Sequence, residues 1–333
     1  MNRTINGKEI LITGGTGSLG KSLVKAIIKD GHKPRGIRIY SRDEQKQWAM
    51  SEEIAAYQKQ HGTSIPIAYL IGDVRDRNRT IYACKNVDLV FNAAAMKHVP
   101  ACEDNPLEAI RTNVHGAENV LEAALANNVE AVMHVSTDKA VHPINLYGAT
   151  KLAAEKLFIN GNVYAGRART RFACCRYGNV LGSNGSVLVR WRQRLAEGKS
   201  IQVTDKNMTR FWITLPRVAR FLLDRVCDMN GGEVFIPCMG SLSMGEMVEY
   251  VAGPFFSGTV EEIGARPGEK YHEVLIAPEE PVIKVPANTD SHMWWYFKVG
   301  QGVSGCALYS NGREHPNWWI TKEEFQSMLE DKL

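Results

Sequence analysis

The sequence has no long apolar run. Its hydrophobic stretches fall well short of the roughly 20 residues that a membrane-spanning helix needs, so no membrane association is expected. It has no cysteine framework either. Seven cysteines, an odd number without a CxxC pair, argue against a disulfide scaffold or a zinc site and suit a reducing compartment. Adjacent Cys174 and Cys175 read as small buried residues. The nine histidines are dispersed, and His272-Glu273 lacks the partners of a metal site, so no metal is expected. An excess of one charge is missing as well: the formal net charge of +4 is too small to point to nucleic acid. The polar Met1–Lys8 segment leads straight into a strand without a secretory signal. What these absences leave is a globular, cytoplasmic protein, and 44% hydrophobic with 23% charged residues is ordinary for one.

What is present is a rhythm. Short apolar runs at Lys8–Thr13, Gly36–Tyr40, Ile67–Ile71, Val87–Asn92, Ala131–Ser136 and Thr170–Arg176 read as six strands. Helical patterns lie between several of them, at Ser18–Asp30, Ser41–Gln60, Glu108–Asn127 and Leu146–Phe158. Such alternation makes an α/β protein with a Rossmann-like, doubly wound parallel sheet. The rhythm changes after Gly178. Residues 1–180 are therefore read as a dinucleotide-binding domain, and 181–333 mainly as a smaller substrate-binding lobe with segments returning to the first domain. Paired tryptophans at Trp294-Trp295 and Trp318-Trp319 read as core or interface anchors.

The first strand runs into Gly14-Gly15-Thr16-Gly17-Ser18-Leu19-Gly20. Glycines 14, 17 and 20 fit a tight turn, a close approach of pyrophosphate and close helix–strand packing, with the helix N-terminus facing the phosphates. Thr16, Ser18 and Leu19 belong to the same loop. At the tip of the second strand, Ser41, Arg42 and Lys46 suit a 2′-phosphate and favour NADP over NAD, although Asp43 could turn inward and favour NAD. Asp73 and Val74 follow the third strand, where the carboxylate could meet adenine or merely cap a helix. Ala93, Ala94 and Ala95 end the fourth strand and let the backbone approach a cofactor. Lys97 follows, within reach of both cofactor and substrate.

The fifth strand ends in Ser136-Thr137-Asp138-Lys139, at the edge where open α/β sheets bind ligands. Tyr147 and Lys151 come next, four apart and so on one helix face. A tyrosine of ordinary pKa near 10 is a poor base. A nearby ammonium and an oxidised nicotinamide both favour its phenolate, which can take a hydroxyl proton as hydride leaves.

The stretches LITGGTGSLG, SRDEQKQ, GDVRD, NAAAMKHVP, STDKAVHPINLYGATK, RYGNVLGSNGSV and MTRFWIT, over residues 11 to about 214, resemble the extended short-chain dehydrogenase/reductase family. Within it the chain resembles the UDP-N-acetylglucosamine 4,6-dehydratases of the C5-inverting type, which initiate pseudaminic acid synthesis. ARPGEKYHE (265–273) continues the likeness more faintly. The resemblance implies oxidation at C4 by NADP with Tyr147, removal of the C5 proton with loss of the C6 hydroxyl, and return of hydride to C6. Asp138 and Lys139 are the candidates for the acid and base, Lys139 then needing to be neutral, or else they form a structural ion pair. The Thr-Asp-Lys triplet, Thr137 included, marks the subclass. Homo-oligomerisation is implied too.

On the substrate side, Asn179 after the sixth strand suits phosphate or amide groups of a UDP-sugar. Thr209, Arg210 and Arg266, expected in loops, suit a diphosphate. Glu269 is implied at a ribose hydroxyl. Arg190, Arg192 and Arg194 around Trp191 read as the border of an anionic substrate or a subunit interface rather than as a nucleic-acid surface. The competing functions are a sugar-nucleotide 4-epimerase or a C5-retaining dehydratase, and more remotely a non-catalytic NADP-binding regulator.

Overall fold

The computed structural model describes residues 4–166, 168–183, 185–252, 258–286, 295–300, 309–310 and 319–331. In chain order the first half runs β1 (Glu9–Thr13), α1 (Ser18–Lys29), β2 (Gly36–Ser41), α2 (Glu44–Gln60), β3 (Ile67–Ile71), α3 (Arg77–Ala83) and β4 (Leu89–Asn92). It continues with α4 (Val99–Asp104), α5 (Pro106–Ile110), α6 (Gly116–Ala126), β5 (Ala131–Val135), α7 (Leu146–Ala165) and β6 (Arg171–Cys175). The six strands are parallel in the order β3-β2-β1-β4-β5-β6. Strands buried on both faces need nearly continuous apolar sequence, and the central ones have it: Ile10, Leu11, Ile12, Val90, Phe91, Val132 and Met133 are all fully buried.

The second half supplies β7 (Asn179–Leu181), α8 (Val187–Ala196), β8 (Ile201–Val203), β9 (Thr209–Thr214), α9 (Leu215–Asp228), β10 (Val234–Pro237), β11 (Gly240–Ser243) and α10 (Met244–Ala252). β12 (Val260–Glu262), β13 (Val274–Ile276), β14 (Val282–Pro286), β15 (Trp295–Val299), β16 (Tyr309–Ser310) and α11 (Lys322–Glu330) complete it. Three of these strands return to the first sheet. β10 adds to β6 in parallel, and β15 and β14 follow antiparallel, giving nine strands. α9 returns too: its Arg220 is paired with Asp30 beyond α1 at 2.8 Å. The rest forms a smaller lobe, with a three-stranded sheet β11-β9-β7 and a core around Trp191, Trp212, Ile201 and Phe325.

Three local features differ from the sequence expectation. The helix expected from Ser41 begins at Glu44, because the Asp43 carboxylate accepts from the Lys46 amide and caps α2. The long helix expected over Glu108–Asn127 contains a π-turn at Arg111–His115 between α5 and α6. The short α3 was not expected; Asp76, not Asp73, caps it. Of the paired tryptophans, Trp294 and Trp318 lie outside the described residues. Trp319 is half-buried and bridges to Ser241.

The π-turn has a use. It aims Asn113 sideways, so that its amide accepts from Met96 N at 2.8 Å, donates to Met96 O at 2.9 Å, and donates to Thr150 Oγ1 at 3.0 Å. One buried side chain thereby ties the loop after β4 to α7, as π-turns near functional sites often do.

Candidate active site

A cleft of about 470 Å³ opens at the carboxyl ends of β1, β4 and β5. Its floor is the glycine loop. Gly14 has φ +63°, and a Cβ there would stand 2.9 Å from the Ala94 backbone; one at Gly20 would stand 2.2 Å from Gly15 O. Only glycine allows the loop to lie this close to the segment after β4 and to its own helix. The first turn of α1 carries no acid, and its N-cap Gly17 offers no side-chain bond. Its amides and dipole are therefore directed at whatever anion enters, which fits a dinucleotide pyrophosphate.

The cleft brings together Gly14, Gly17, Ser18, Leu19, Gly20, Ala93, Ala94, Ala95, Lys97, Thr137, Lys139, Tyr147, Lys151 and Asn179, as well as Trp212 and Ser186. Thr16 and Lys46 line an adjoining cavity of about 580 Å³ between α1, α2 and the second lobe, which shares Ser18 and Leu215 with the cleft. Ser41, Arg42, Asp73 and Val74 sit farther along the sheet edge. The Ser41 hydroxyl accepts from Gln47 at 3.0 Å, and Arg42 faces Asp73 at 3.7 Å. Lys46 pairs with Asp43 at 3.0 Å. Asp73 is held below the usual carboxylate range despite desolvation, by the Arg75 guanidinium and amide and by Arg42. Val74 is buried.

Lys139 departs most from the sequence expectation. A base requires the neutral amine, yet Lys139 Nζ lies 3.1 Å from Asp138 Oδ1 and 3.3 Å from Glu273 Oε1. Burial opposes the charge, but the two carboxylates outweigh it and hold the ammonium above the ordinary lysine value, with Arg210 pulling the other way. At rest Lys139 is a proton donor. Asp138 is fully buried. Its Oδ1 accepts from Thr137 Oγ1 at 2.8 Å, while its Oδ2 has no hydrogen-bond partner among the described residues.

Tyr147 is pushed up to about 12 by burial, against the charge of Lys139 and the hydroxyl of Thr137. The cation acting on the phenol is thus Lys139, whereas the sequence expectation gave that part to Lys151. Lys151 Nζ turns instead toward the core, to the Val135 carbonyl and to His134 Nε2 at 3.0 Å. Burial pulls it down to about 8, with Cys174 and Glu155 opposing. Beneath it, Arg176 is fully buried between Glu155 at 2.5 Å and Glu280 at 2.8 Å, and Ser136 donates to Glu155 at 2.7 Å.

On the substrate side, Asn179 Oδ1, Ser186 Oγ and Trp212 Nε1 are buried without hydrogen-bond partners among the described residues, all on the cleft wall. Buried polar groups are rarely left so unless a ligand or water completes them. Arg210 is not in a loop, as expected, but in the buried strand β9, where it donates to the Thr209 carbonyl at 2.7 Å. Thr209 meets His272 Nδ1 at 2.7 Å. Arg266 lies in an exposed loop outside the cleft; Glu269, in the same loop, is half-buried. Glu273, Trp212, Asn113 and His134 escaped the sequence analysis. Two carried a signal, Glu273 at the end of ARPGEKYHE and Trp212 within MTRFWIT.

A family profile described as "Polysaccharide biosynthesis protein" matches residues 10–293. The UDP-N-acetylglucosamine 4,6-dehydratase (inverting) of Campylobacter jejuni subsp. jejuni serotype O:23/36 (strain 81-176) is 46% identical over 300 residues, 90% of this chain and 83% of that one. The UDP-glucose 4-epimerase of Rickettsia bellii (strain OSU 85-389) is 40% identical over 334 residues, 97% and 95% of the two chains. Among solved structures, that of Pen from Bacillus thuringiensis superposes with a TM-score of 0.84 at 33% identity, covering 98% of this chain and 99% of that one. With a Rossmann-type sheet, a glycine-floored cleft and a match over most of its length, the chain belongs to the polysaccharide biosynthesis protein family, on the extended short-chain dehydrogenase/reductase fold.

Proposed function

We propose that the protein is a UDP-N-acetylglucosamine 4,6-dehydratase that yields a 4-keto-6-deoxy sugar nucleotide with inversion at C5. The observation that carries the reading is the Lys139–Asp138 ion pair, with Lys139 in the same cleft as Tyr147. Transient oxidation at C4 is all that an epimerase needs. Expelling water across C5 and C6 needs a second acid and base beside the oxidising group, and this pair supplies them.

A bound nicotinamide cofactor, NADP by the Ser41, Arg42 and Lys46 side chains, would accept hydride from C4 and later return it to C6. The chain's own part begins at Tyr147. Protonated at rest, it ionises only when the Lys139 charge and the cofactor's positive ring act together. It then takes the C4 hydroxyl proton. The ketone so formed acidifies C5. Asp138, through its unpartnered Oδ2, accepts the C5 proton while Lys139 gives its proton to the departing C6 hydroxyl. The pair enters as ammonium and carboxylate and leaves as amine and carboxylic acid, so that one water departs and the protons balance. Reprotonation of C5 restores the Asp138 carboxylate, and the proton released from the C4 hydroxyl makes up the one that Lys139 gave to the departing water.

Asn179, Ser186 and Trp212 hold the sugar nucleotide together with Lys97 of the same cleft, whereas Thr209, Arg210, Arg266 and Glu269 are not among the residues that line it. The protein acts as a homo-oligomer in the cytoplasm, on a pathway toward pseudaminic acid. Incubation with UDP-N-acetylglucosamine and NADP tests the reading. A product lighter by one water supports it, and an isomer of unchanged mass replaces it with the epimerase that the Rickettsia relative's name suggests.

A further inference from the structure

Residues 268–280 of the second lobe lie along the segment that joins Lys139 to Tyr147. Asn145 Nδ2 donates to the Gly268 carbonyl at 2.8 Å, Lys270 Nζ donates to the Val141 carbonyl at 2.5 Å, and Lys139 Nζ meets Glu273 Oε1 at 3.3 Å. The contacts run in opposite order along the two segments, so this strap is laid antiparallel to the one it touches. It is itself braced from behind. The Thr209 amide donates to the Tyr271 carbonyl at 3.1 Å, Arg210 Nη1 lies 3.3 Å from the same oxygen, and Arg176 donates to the Leu275 carbonyl at 2.7 Å. Thr209 and Arg210, which do not line the cleft, thus act on the strap.

The segment between the two side chains is tightly built. Asp138–Ala140 is a single 3₁₀ turn, and a Cβ at Gly148 would overlap the Lys139 carbonyl, so this turn abuts the start of α7. Between them His142 stands at φ +44°, backbone that a non-glycine residue keeps only where its surroundings hold it. The two hydrogen bonds to the strap fall on either side of it, at Val141 and at Asn145. Asn145 does two things at once. Its Oδ1 accepts from the Gly148 amide at 2.7 Å and caps α7, while its Nδ2 reaches the strap. Capping needs only the oxygen.

We propose that the strap sets the two chemical groups separately, with Asn145 positioning Tyr147 and Lys270 positioning Lys139. Tyr147 is the second residue of α7, so a change in how the helix starts moves its ring. Val141 closes the 3₁₀ turn two residues beyond Lys139, and the bond from Lys270 to its carbonyl fixes the turn that aims the ammonium. Lys270 also stands 3.8 Å from Glu273 Oε2, so two ammonium groups share this carboxylate; Asp138 and Arg210 complete the charges around Lys270. The inference rests on the reading of Tyr147 as the group that serves oxidation at C4 and of Lys139 as the acid of water loss. It adds that the first domain alone carries an incomplete site. The segment from Asp138 to Tyr147 takes its working shape only with the second lobe in place.

The test gives the whole, cofactor-loaded chain UDP-N-acetylglucosamine and reads two rates. Single-turnover growth of the reduced-nicotinamide absorbance reports oxidation, and product mass reports water loss. Asn145→Asp keeps the cap but exchanges the donor to Gly268 for an acceptor, and should slow oxidation by about 10-fold or more. A capping role alone predicts no change, since Asp caps as well as Asn. Lys270→Met should leave oxidation within a few-fold and slow water loss by about 10- to 100-fold, so that reduced cofactor accumulates during turnover. Lys270→Arg should recover most of that loss, and Lys270→Gln repeats the measurement should Lys270→Met not fold. Unchanged oxidation in Asn145→Asp overturns the proposal. So does water loss in the Lys270 variants that is unchanged, or that falls only in step with oxidation. The underlying reading fails differently: it falls if Tyr147→Phe keeps oxidising C4 or Lys139→Ala keeps losing water, whatever the strap variants do.

Discussion

The Lys139 ammonium lies 3.3 Å from the Glu273 carboxylate, a contact that joins the end of the fifth strand to a segment of the second lobe. Glu273 is buried and, with Asp138, keeps Lys139 charged. Glu273→Gln removes one of two counter-charges, so Lys139 should lose its proton at lower pH. The alkaline limb of dehydration should then fall earlier than in the wild type, which a kcat profile in water-loss units reads. An unmoved limb would detach Glu273 from the chemistry.

Lys139→Ala should abolish water loss while leaving cofactor affinity within a few-fold. Product mass and cofactor titration, run on the same preparation, check both halves. If the variant dehydrates normally, Lys139 is not the proton donor.

In the proposed mechanism, Tyr147→Phe removes the group that takes the C4 proton. Loss of one positioned acid–base group is worth roughly 10²- to 10⁴-fold in rate. Single-turnover hydride transfer should fall within that range, with sugar nucleotide binding little changed, since Phe keeps the ring in place.

The proposed preference for NADP rests on exposed side chains. Arg42→Ser with Lys46→Ser should weaken NADP by about 10- to 100-fold, in proportion to two lost charge-assisted bonds, and leave NAD nearly unaffected. Equal losses for both cofactors would place the 2′-phosphate elsewhere.

Lys151 also reports on stability. Its folded value near 8 lies below the unfolded value of 10.5. Between these, the unfolded chain binds the extra proton, so raising the pH favours the fold; below about 8 both states are charged and the burial penalty is complete. Wild type should therefore gain on Lys151→Met by up to about 3 kcal/mol across pH 8 to 10.5. Urea unfolding of the two proteins at both ends of that window measures the difference.

Much of the fold was legible. Apolar runs ending in glycine or small residues located the six parallel strands, and four-residue spacing put Tyr147 and Lys151 on α7. The π-turn at Arg111–His115 was invisible because apolar residues keep a helical period through it. α3 was missed because only Thr80 and Ala83 in it are buried, too few for a periodic signal. The site was legible where it is contiguous, as in Thr137-Asp138-Lys139. It was not where a partner arrives from far along the chain: nothing in the pattern linked Glu273 to Lys139, and so the expected neutral amine became an ammonium. His134 read as one more strand residue, since neither its neighbours on β4 nor those on α7 are adjacent to it in sequence.

The return of β10 to the first sheet bears on how the protein is made. As the chain leaves the ribosome, β6 is complete while its outer edge still lacks a partner, and a bare parallel edge invites pairing with other chains. That hazard lasts until Val234–Pro237 has emerged and docked, and it passes to β10 until Trp295–Val299 closes in turn. Substitutions that slow synthesis or folding of the intervening lobe should therefore lower the yield of soluble protein even where they leave the finished enzyme intact.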